Sequence, residues 1–219
     1  MLTYEDVKND SAVRTYIQRA DESLTALGYT EHSFAHVTVV AENAAYILST
    51  LGYPERTVEL AKIAGYMHDM GNSINRVDHA HTGAMMAFTI LREMGMEAGD
   101  VAVICSAIGQ HDEQSGSAVD AVSAALILAD KTDVRRNRVR NRNKATFDKH
   151  DQVNYAAVSS NLKIDMDKKT VTLEIELDED MCSMMDYFEI FLQRMLMCKR
   201  AAEHLGMKFK MTANGNKIC

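Results

Sequence analysis

Several features that define other classes of protein are scarce in this sequence. It contains a single proline in 219 residues, which fits a mainly helical chain because proline interrupts helices. No stretch of about 18 consecutive apolar residues occurs, so we expect neither a transmembrane helix nor a membrane partner. The N-terminal segment is acidic and polar, unlike a signal or transit peptide, so we expect a cytoplasmic protein.

The sequence also lacks a cysteine-pairing signal and an excess of positive charge. The four cysteines (Cys105, Cys182, Cys198 and Cys219) show no Cys-x-x-Cys spacing, which predicts free thiols in a reducing compartment. The formal net charge is -7, so the bulk electrostatics do not favour nucleic acid as a partner.

Hydrophobic periodicity and turn residues predict a series of helices along residues 1–150. The expected helices cover residues 5–27, 33–51, 54–69, 80–94, 100–111 and 121–130. Pro54 suits the first turn of the third helix, and Asp100 is the expected N-cap of the fifth. Because the connections are short, we expect these helices to pack as one all-α bundle.

Residues 151–219 have a different pattern, which predicts a small α+β appendage. Apolar residues alternate with polar ones along 162–177, on both sides of a charged turn, as in a β-hairpin. A helix with an apolar stripe follows at 184–205, and alternation resumes at 207–211. The expected fold class is therefore mainly α, with a helical bundle and a β-β-α-β appendage. The apolar stripe could pack on the hairpin of the same chain or on a second copy of the chain in a homodimer. The appendage could therefore have a regulatory or dimerisation role.

The expected bundle contains an unusual set of polar residues in or at the ends of its helices. They are His36, His68, Asp69, His81, His111 and Asp130. Burying such groups without partners is unfavourable, and a divalent metal ion removes that penalty. Mixed imidazole and carboxylate ligands suit Fe, Mn, Zn, Co or Ni, so we predict one or two such ions. Asp69 has two oxygens and is the natural bridging ligand.

Five short motifs carry these residues in order between positions 30 and 140. They are His36 with the apolar stripe after it, Gly65-Tyr-Met-His68-Asp69-Met-Gly71, His81-Thr-Gly83, Ala107-Ile-Gly-Gln-His111-Asp-Glu113 and Leu128-Ala-Asp130-Lys131. In this order and spacing the chain resembles the HD-domain metal-dependent phosphohydrolases. The resemblance implies an HD-type helical bundle in which His36, His68, Asp69 and Asp130 bind a first metal ion. By the same resemblance His81 and His111 bind a second ion, with Asp69 between the two.

The extra histidines look most like two subsets of the family. One is the dinuclear subset that hydrolyses dinucleoside tetraphosphates, and the other contains cyclic dinucleotide phosphodiesterases. The second subset usually has a Gly-Tyr-Pro motif after the fourth motif, and this chain has Glu113-Gln-Ser-Gly116 there instead, which argues against it.

The resemblance implies hydrolysis of a phosphate ester or anhydride in a nucleotide or another small phosphorylated molecule. The metal ions would lower the pKa of a bound water and deliver hydroxide to phosphorus. We expect Asp69 to be catalytic through the ions, and Asp112 to act as a proton shuttle or to orient its neighbour His111.

Phosphate contacts are expected from residues on both sides of the centre. Asn72 is one candidate, but it stands where many family members have a lysine, so nearby cations are also expected to bind phosphate. Lys131 is one candidate, and Arg135 and Arg138, one turn apart, could grip a phosphate as a fork.

Other interpretations stay open at this point. His79 lies two residues from His81, so the two cannot share a helix face, and we expect His79 not to be a ligand. His32 is expected at the surface. The metal could instead be structural in a catalytically weak or inactive regulatory protein that binds a ligand. The basic run Arg135–Lys144 could also contact nucleic acid, with binding that weakens steeply as salt rises.

Overall fold

A computed structural model describes all 219 residues and confirms a mainly helical chain with a small C-terminal sheet. The helices are α1 (Tyr4–Asn9), α2 (Ser11–Ala26), α3 (Phe34–Thr50), α4 (Glu55–Met67), α5 (His79–Glu93), α6 (Ala98–Gly109), α7 (Ala121–Lys131), α8 (Lys149–Ala156) and α9 (Met184–His204). The strands are β1 (Ala157–Asp165), β2 (Thr170–Leu177), β3 (Lys208–Ala213) and β4 (Asn216–Lys217). Short 3-10 helices lie at Met70–Ser73, Arg136–Arg138 and Lys144–Thr146. No helix combines the length and the apolar character needed to cross a bilayer.

Capping residues explain where the structure departs from the expected helix boundaries. The helix expected over 5–27 is two helices, because the Asp10 carboxylate accepts a hydrogen bond from Val13 N and starts α2. Asp100 is not the N-cap of α6. Glu97 holds that position, and Asp100 lies in the first turn, where its carboxylate pairs with the Arg56 guanidinium.

Two glycines, in α4 and just after it, let neighbouring elements approach closely. A Cβ atom on Gly65 of α4 would lie 2.8 Å from the Cα of Ala41, so α3 and α4 cross with their backbones in contact. A Cβ atom on Gly71 would overlap the carbonyl oxygen of His79 and lie 2.6 Å from Gly83 N. The 3-10 helix after α4 therefore packs directly on the first turn of α5.

The C-terminal unit has the expected β-β-α-β order, with one short strand added. Strands β1 and β2 form an antiparallel hairpin, and α9 returns the chain so that β3 pairs parallel with β2. The added β4 pairs antiparallel with β3, which gives the sheet order β1-β2-β3-β4.

Helix α9 joins this unit to the helical bundle. It packs against both β3 and α7, and it buries Phe191, Met195 and Cys198. The boundary expected at residue 150 falls inside α8, and one buried apolar cluster extends across it. Residues of the C-terminal unit can therefore reach the surface of the bundle where α7 ends.

Candidate metal centre

The ends of three helices bring a first group of ligand atoms together. His36 comes from the first turn of α3, His68 ends α4, Asp69 follows it, and Asp130 lies at the end of α7. The Nε2 atom of His68 lies 3.2 Å from Asp69 Oδ2 and 3.7 Å from Asp130 Oδ1. The Nε2 atom of His36 lies 3.6 and 3.5 Å from the same two oxygens. The structure thus brings together the four residues expected for the first ion.

A second group lies on the other side of Asp69. His79 Nε2 and His111 Nε2 lie 3.8 and 4.0 Å from Asp69 Oδ1, and 3.1 Å from each other. One oxygen of Asp69 therefore faces each group, which is the arrangement expected of a bridging carboxylate.

The second group corrects the expectation for His81. The side chain of His81 is 59% exposed and lies 3.7 Å from the Asp78 carboxylate, outside the centre. Helix α5 begins at His79, and residues two apart on a helix point about 200° apart, so only one of the two histidines can face inwards. The orientation of the helix selects His79.

All four buried imidazoles are hydrogen-bonded through Nδ1, and each therefore turns its Nε2 atom toward the centre. The Nδ1 atoms of three of them lie close to backbone carbonyl oxygens: His68 to Gly65 at 2.8 Å, His79 to Arg76 at 3.1 Å, and His111 to Ile108 at 2.6 Å. Because a carbonyl only accepts, each Nδ1 carries the hydrogen and each Nε2 presents a lone pair.

His36 has the same orientation through a carboxylate. Its Nδ1 atom donates to Asp133 Oδ2 at 2.7 Å. Such a pairing fixes the tautomer and the orientation of the ring, so that the other nitrogen faces the centre.

Two buried atoms at the centre lack a hydrogen-bond partner. They are His68 Nε2 and Asp69 Oδ2. Leaving a buried polar group unpaired costs about 1–3 kcal/mol, so native proteins rarely keep such atoms without a reason. The sets His36–His68–Asp130 and His68–Asp69–His111 each have ligand atoms within 4.8 Å of one another. These residues fit a divalent cation, since a cation between them would satisfy both unpaired atoms.

The pKa shifts also suit a cation. Burial alone would raise the pKa of the Asp69 carboxyl, but its charge interactions with His68 and the neighbouring histidines hold that pKa well below the usual value. Burial likewise opposes ionisation of Asp130, while Lys131 and His36 lower its pKa well below the usual value. Burial lowers the pKa of His111 well below its usual value, so that imidazole is neutral. Ionised carboxylates and a neutral imidazole are the forms that bind metals.

Asn72, expected to contact phosphate, is instead held against Asp69. Its side chain is buried, and its Nδ2 atom donates to Asp69 Oδ1 at 2.9 Å and to the Asp69 carbonyl at 3.0 Å. Arg76, four residues later, supplies a cation near this place: its Nη1 atom lies 3.2 Å from Asn72 Oδ1 and 3.3 Å from His79 Nε2. The sequence signal for Arg76 was only a basic residue in the loop before α5.

A cleft of about 450 Å³ opens over the centre. Its lining includes Asp69, His79, His111 and Asp130 from the centre and four cations, namely Arg76, Lys131, Arg138 and Arg194. The expected candidates Asp112 and Lys131 both line it, and Lys131 Nζ lies 2.8 Å from Asp130 Oδ2. Strongly polar walls of this kind suit a charged ligand.

The predicted phosphate fork of Arg135 and Arg138 does not form. Arg135 makes a two-point contact with Asp133, at 2.6 and 3.0 Å, and does not line the cleft. Residues 136–138 form a 3-10 helix, so the α-helical spacing assumed for the pair is absent. Arg138 is buried and lines the cleft, but it donates to the carbonyls of Glu31 and Asp133. Most of the basic run is therefore engaged within the protein.

Other residues at the cleft were not expected there. His32, expected at the surface, is half-buried and lines the cleft, with its ring centre 5.5 Å from that of His36. Asp148, Asp151 and Arg194 come from α8 and its cap and from α9. No local sequence pattern connects these positions to the motifs, because tertiary packing alone brings them to the cleft.

Comparisons with known proteins match this chain to a family, to a relative and to a solved structure. The HD domain family matches residues 33–145, just over half of the chain and a range that includes every residue of the centre. An uncharacterized protein of Methanocaldococcus jannaschii is 25% identical over 162 residues, which cover 64% of this chain and 62% of that protein. A solved structure described as a predicted HD superfamily hydrolase, from an uncultured Thermotogales bacterium, aligns with a TM-score of 0.45 and 26% identity. That alignment covers 57% of this chain and 67% of the other.

Proposed function

The chain belongs to the HD domain family, and on that premise we propose that it is a metal-dependent phosphohydrolase. Its substrate would be a phosphate ester or anhydride of a nucleotide or another small phosphorylated molecule. The observation that carries the proposal is the pair of unpartnered buried atoms, His68 Nε2 and Asp69 Oδ2, below a cleft lined by both carboxylates and cations. Carboxylates that can bind metal ions, with cations beside them, suit an anion that arrives together with metal ions.

Two sets of residues would hold the metal. His36, His68, Asp69 and Asp130 would hold one divalent ion, and Asp69, His79 and His111 would hold a second. When bound, such ions supply the Lewis acidity that activates water and neutralises phosphoryl oxygens.

The remaining side chains would orient these ligands and bind the substrate. Asp133 fixes the ring of His36, and Asn72 fixes the carboxylate of Asp69. Arg76 and Lys131 line the cleft together with Asp69 and Asp130, and we assign them to the phosphoryl oxygens. Asp112 lines the cleft next to His111 and is the candidate to accept or donate the proton.

The test is turnover by the metal-loaded protein. The protein would be reconstituted with Mn²⁺, Fe²⁺, Co²⁺, Ni²⁺ or Zn²⁺ and assayed on p-nitrophenyl phosphate, bis-p-nitrophenyl phosphate, mononucleotides and dinucleoside tetraphosphates. We expect hydrolysis of at least one, which His68→Ala and Asp69→Ala abolish together with bound metal. His81→Ala, on the exposed side of α5, is the matched control and should keep both.

Two outcomes would contradict the proposal. Full activity in metal-free Asp69→Ala protein would exclude the centre as the catalyst. Metal-loaded protein that binds nucleotides tightly but turns none over would support the regulatory alternative, with a structural metal.

A further inference from the structure

Arg194 is a cleft residue that comes from outside the matched HD range. It lies in α9, in the C-terminal unit, yet its side chain lines the same cleft as Asp69 and Lys131. The side chain is 27% exposed, so it is held at the cleft and still accessible to a ligand. An arginine of the C-terminal unit therefore lies at the same cleft as the candidate metal ligands.

The contacts of Arg194 hold its guanidinium in place from one side. The Nε atom donates to Glu113 Oε1 at 2.6 Å, and the guanidinium lies 4.5 Å from the centre of the Phe191 ring. No hydrogen bond within the protein uses the two terminal nitrogens, Nη1 and Nη2. A guanidinium anchored through Nε keeps two donors in a fixed plane, which suits phosphate oxygens.

Glu113 connects Arg194 to the metal centre. The same Oε1 atom lies 3.7 Å from Lys131 Nζ, and Lys131 Nζ lies 2.8 Å from Asp130 Oδ2. One oxygen of Glu113 therefore faces two cations, Lys131 and Arg194. Lys131 also contacts Asp130, which is a candidate metal ligand. Lys131 and Arg194 thus lie along the same side of the cleft, with Lys131 next to the centre and Arg194 one ion pair further away.

We propose that Arg194 binds a second, non-reacting phosphoryl group of the substrate, and that Glu113 positions it. The inference rests on the proposed phosphohydrolase function and names its substrate class: molecules with two neighbouring phosphoryl groups. The first phosphoryl group lies at the metal ligands with Lys131, and the second reaches Arg194. On this account the C-terminal unit completes the active site of the HD bundle and selects for the longer anion.

The experiment compares two anions on the Mn²⁺-loaded full-length protein. Inorganic phosphate fills only the position at the metals, and methylenediphosphonate, which is not hydrolysed at its P–C–P bridge, spans both. Affinities would be measured by isothermal titration calorimetry, with metal content and thermal unfolding checked for each variant.

We expect Arg194→Ala to weaken methylenediphosphonate binding about tenfold or more, as for the loss of a charge-assisted hydrogen bond, and to change phosphate binding less than about twofold. Arg194→Lys keeps the charge but loses the anchored fork, so its loss should be intermediate. Arg200→Ala removes the same charge from an exposed position of the same helix and should change neither affinity. Glu113→Gln should reduce the preference for the diphosphonate, and it tests the proposal independently should Arg194→Ala fail to fold.

The failures of the two proposals are distinguishable. Wild-type protein that is loaded with metal but binds neither anion would overturn the proposed function itself. Wild-type protein that binds both anions, with Arg194→Ala weakening both equally or neither, would overturn only the role of Arg194.

Discussion

The Nε2 atoms of His79 and His111 lie 3.1 Å apart, closer to each other than either lies to Asp69. Both rings use Nδ1 toward a backbone carbonyl, so both Nε2 atoms present lone pairs to the same small space. Two facing lone pairs repel unless a proton or a cation lies between them. This contact places His79 at the centre, although its sequence position beside His81 gave no reason to prefer it.

The first prediction concerns the number of metal ions. We expect about two transition-metal ions per chain in protein purified without chelator, and about one in His79→Ala, because the second set loses a ligand. Elemental analysis with a metal-to-chain ratio measures this. His81→Ala is the matched control and should retain the wild-type ratio. A wild-type ratio of one that His79→Ala leaves unchanged would contradict the two-ion arrangement.

The second prediction concerns Asp133, which lies outside the expected ligand set. Asp133→Asn keeps the size of the side chain but removes the negative charge opposite His36 Nδ1. We expect metal affinity to fall about 10- to 100-fold, as for other partners that orient a ligating histidine. A competition titration with a metal indicator measures the change. Unchanged affinity in a folded variant would show that His36 needs no such partner.

The third prediction concerns the close approach at Gly71. Gly71→Ala should lower the free energy of unfolding by about 1–3 kcal/mol, because its Cβ would overlap the His79 carbonyl and force α5 away. Gly99→Ala is the control: a Cβ there meets nothing within 4 Å, so a gain of up to about 1 kcal/mol is expected. Urea denaturation measures both. Equal effects of the two substitutions would contradict the packing described here.

The fourth prediction concerns the thiols. Burial raises the pKa of Cys105 to about 11 and that of Cys198 to about 12, and it also raises the pKa of Cys182. Because the thiolate is the reactive form, these three should react slowly with an alkylating reagent near neutral pH, and the exposed Cys219 quickly.

Mass spectrometry of native protein after brief alkylation should show one modification, which Cys219→Ser removes. Denatured protein should take up four. Rapid modification of Cys198 in native protein would contradict its burial in the core between α9 and its neighbours.

Local patterns in the sequence were enough for the elements that have their own periodicity or turn signals. The helices α3 to α7 and the strands β1 to β3 lie close to their expected positions. His36, His68, Asp69 and Asp130 could be grouped because they recur in ordered motifs at helix ends, and the structure brings them together. The bounds of helix α8 were not predicted, because its eight residues include few apolar ones to mark a periodicity.

Only the tertiary structure decided which neighbouring polar residue faces the centre. The rotation of α5 turns His79 inwards and His81 out, and the packing of the 3-10 helix buries Asn72 against Asp69. The docking of α9 on α7 brings Arg194 to a cleft whose other residues lie far away in the sequence. The sequence by itself determined the helices and the ordered set of candidate ligands, because periodicity and capping act over a few residues. Which face of each helix meets the centre depends on contacts between distant segments, and those exist only in the folded chain.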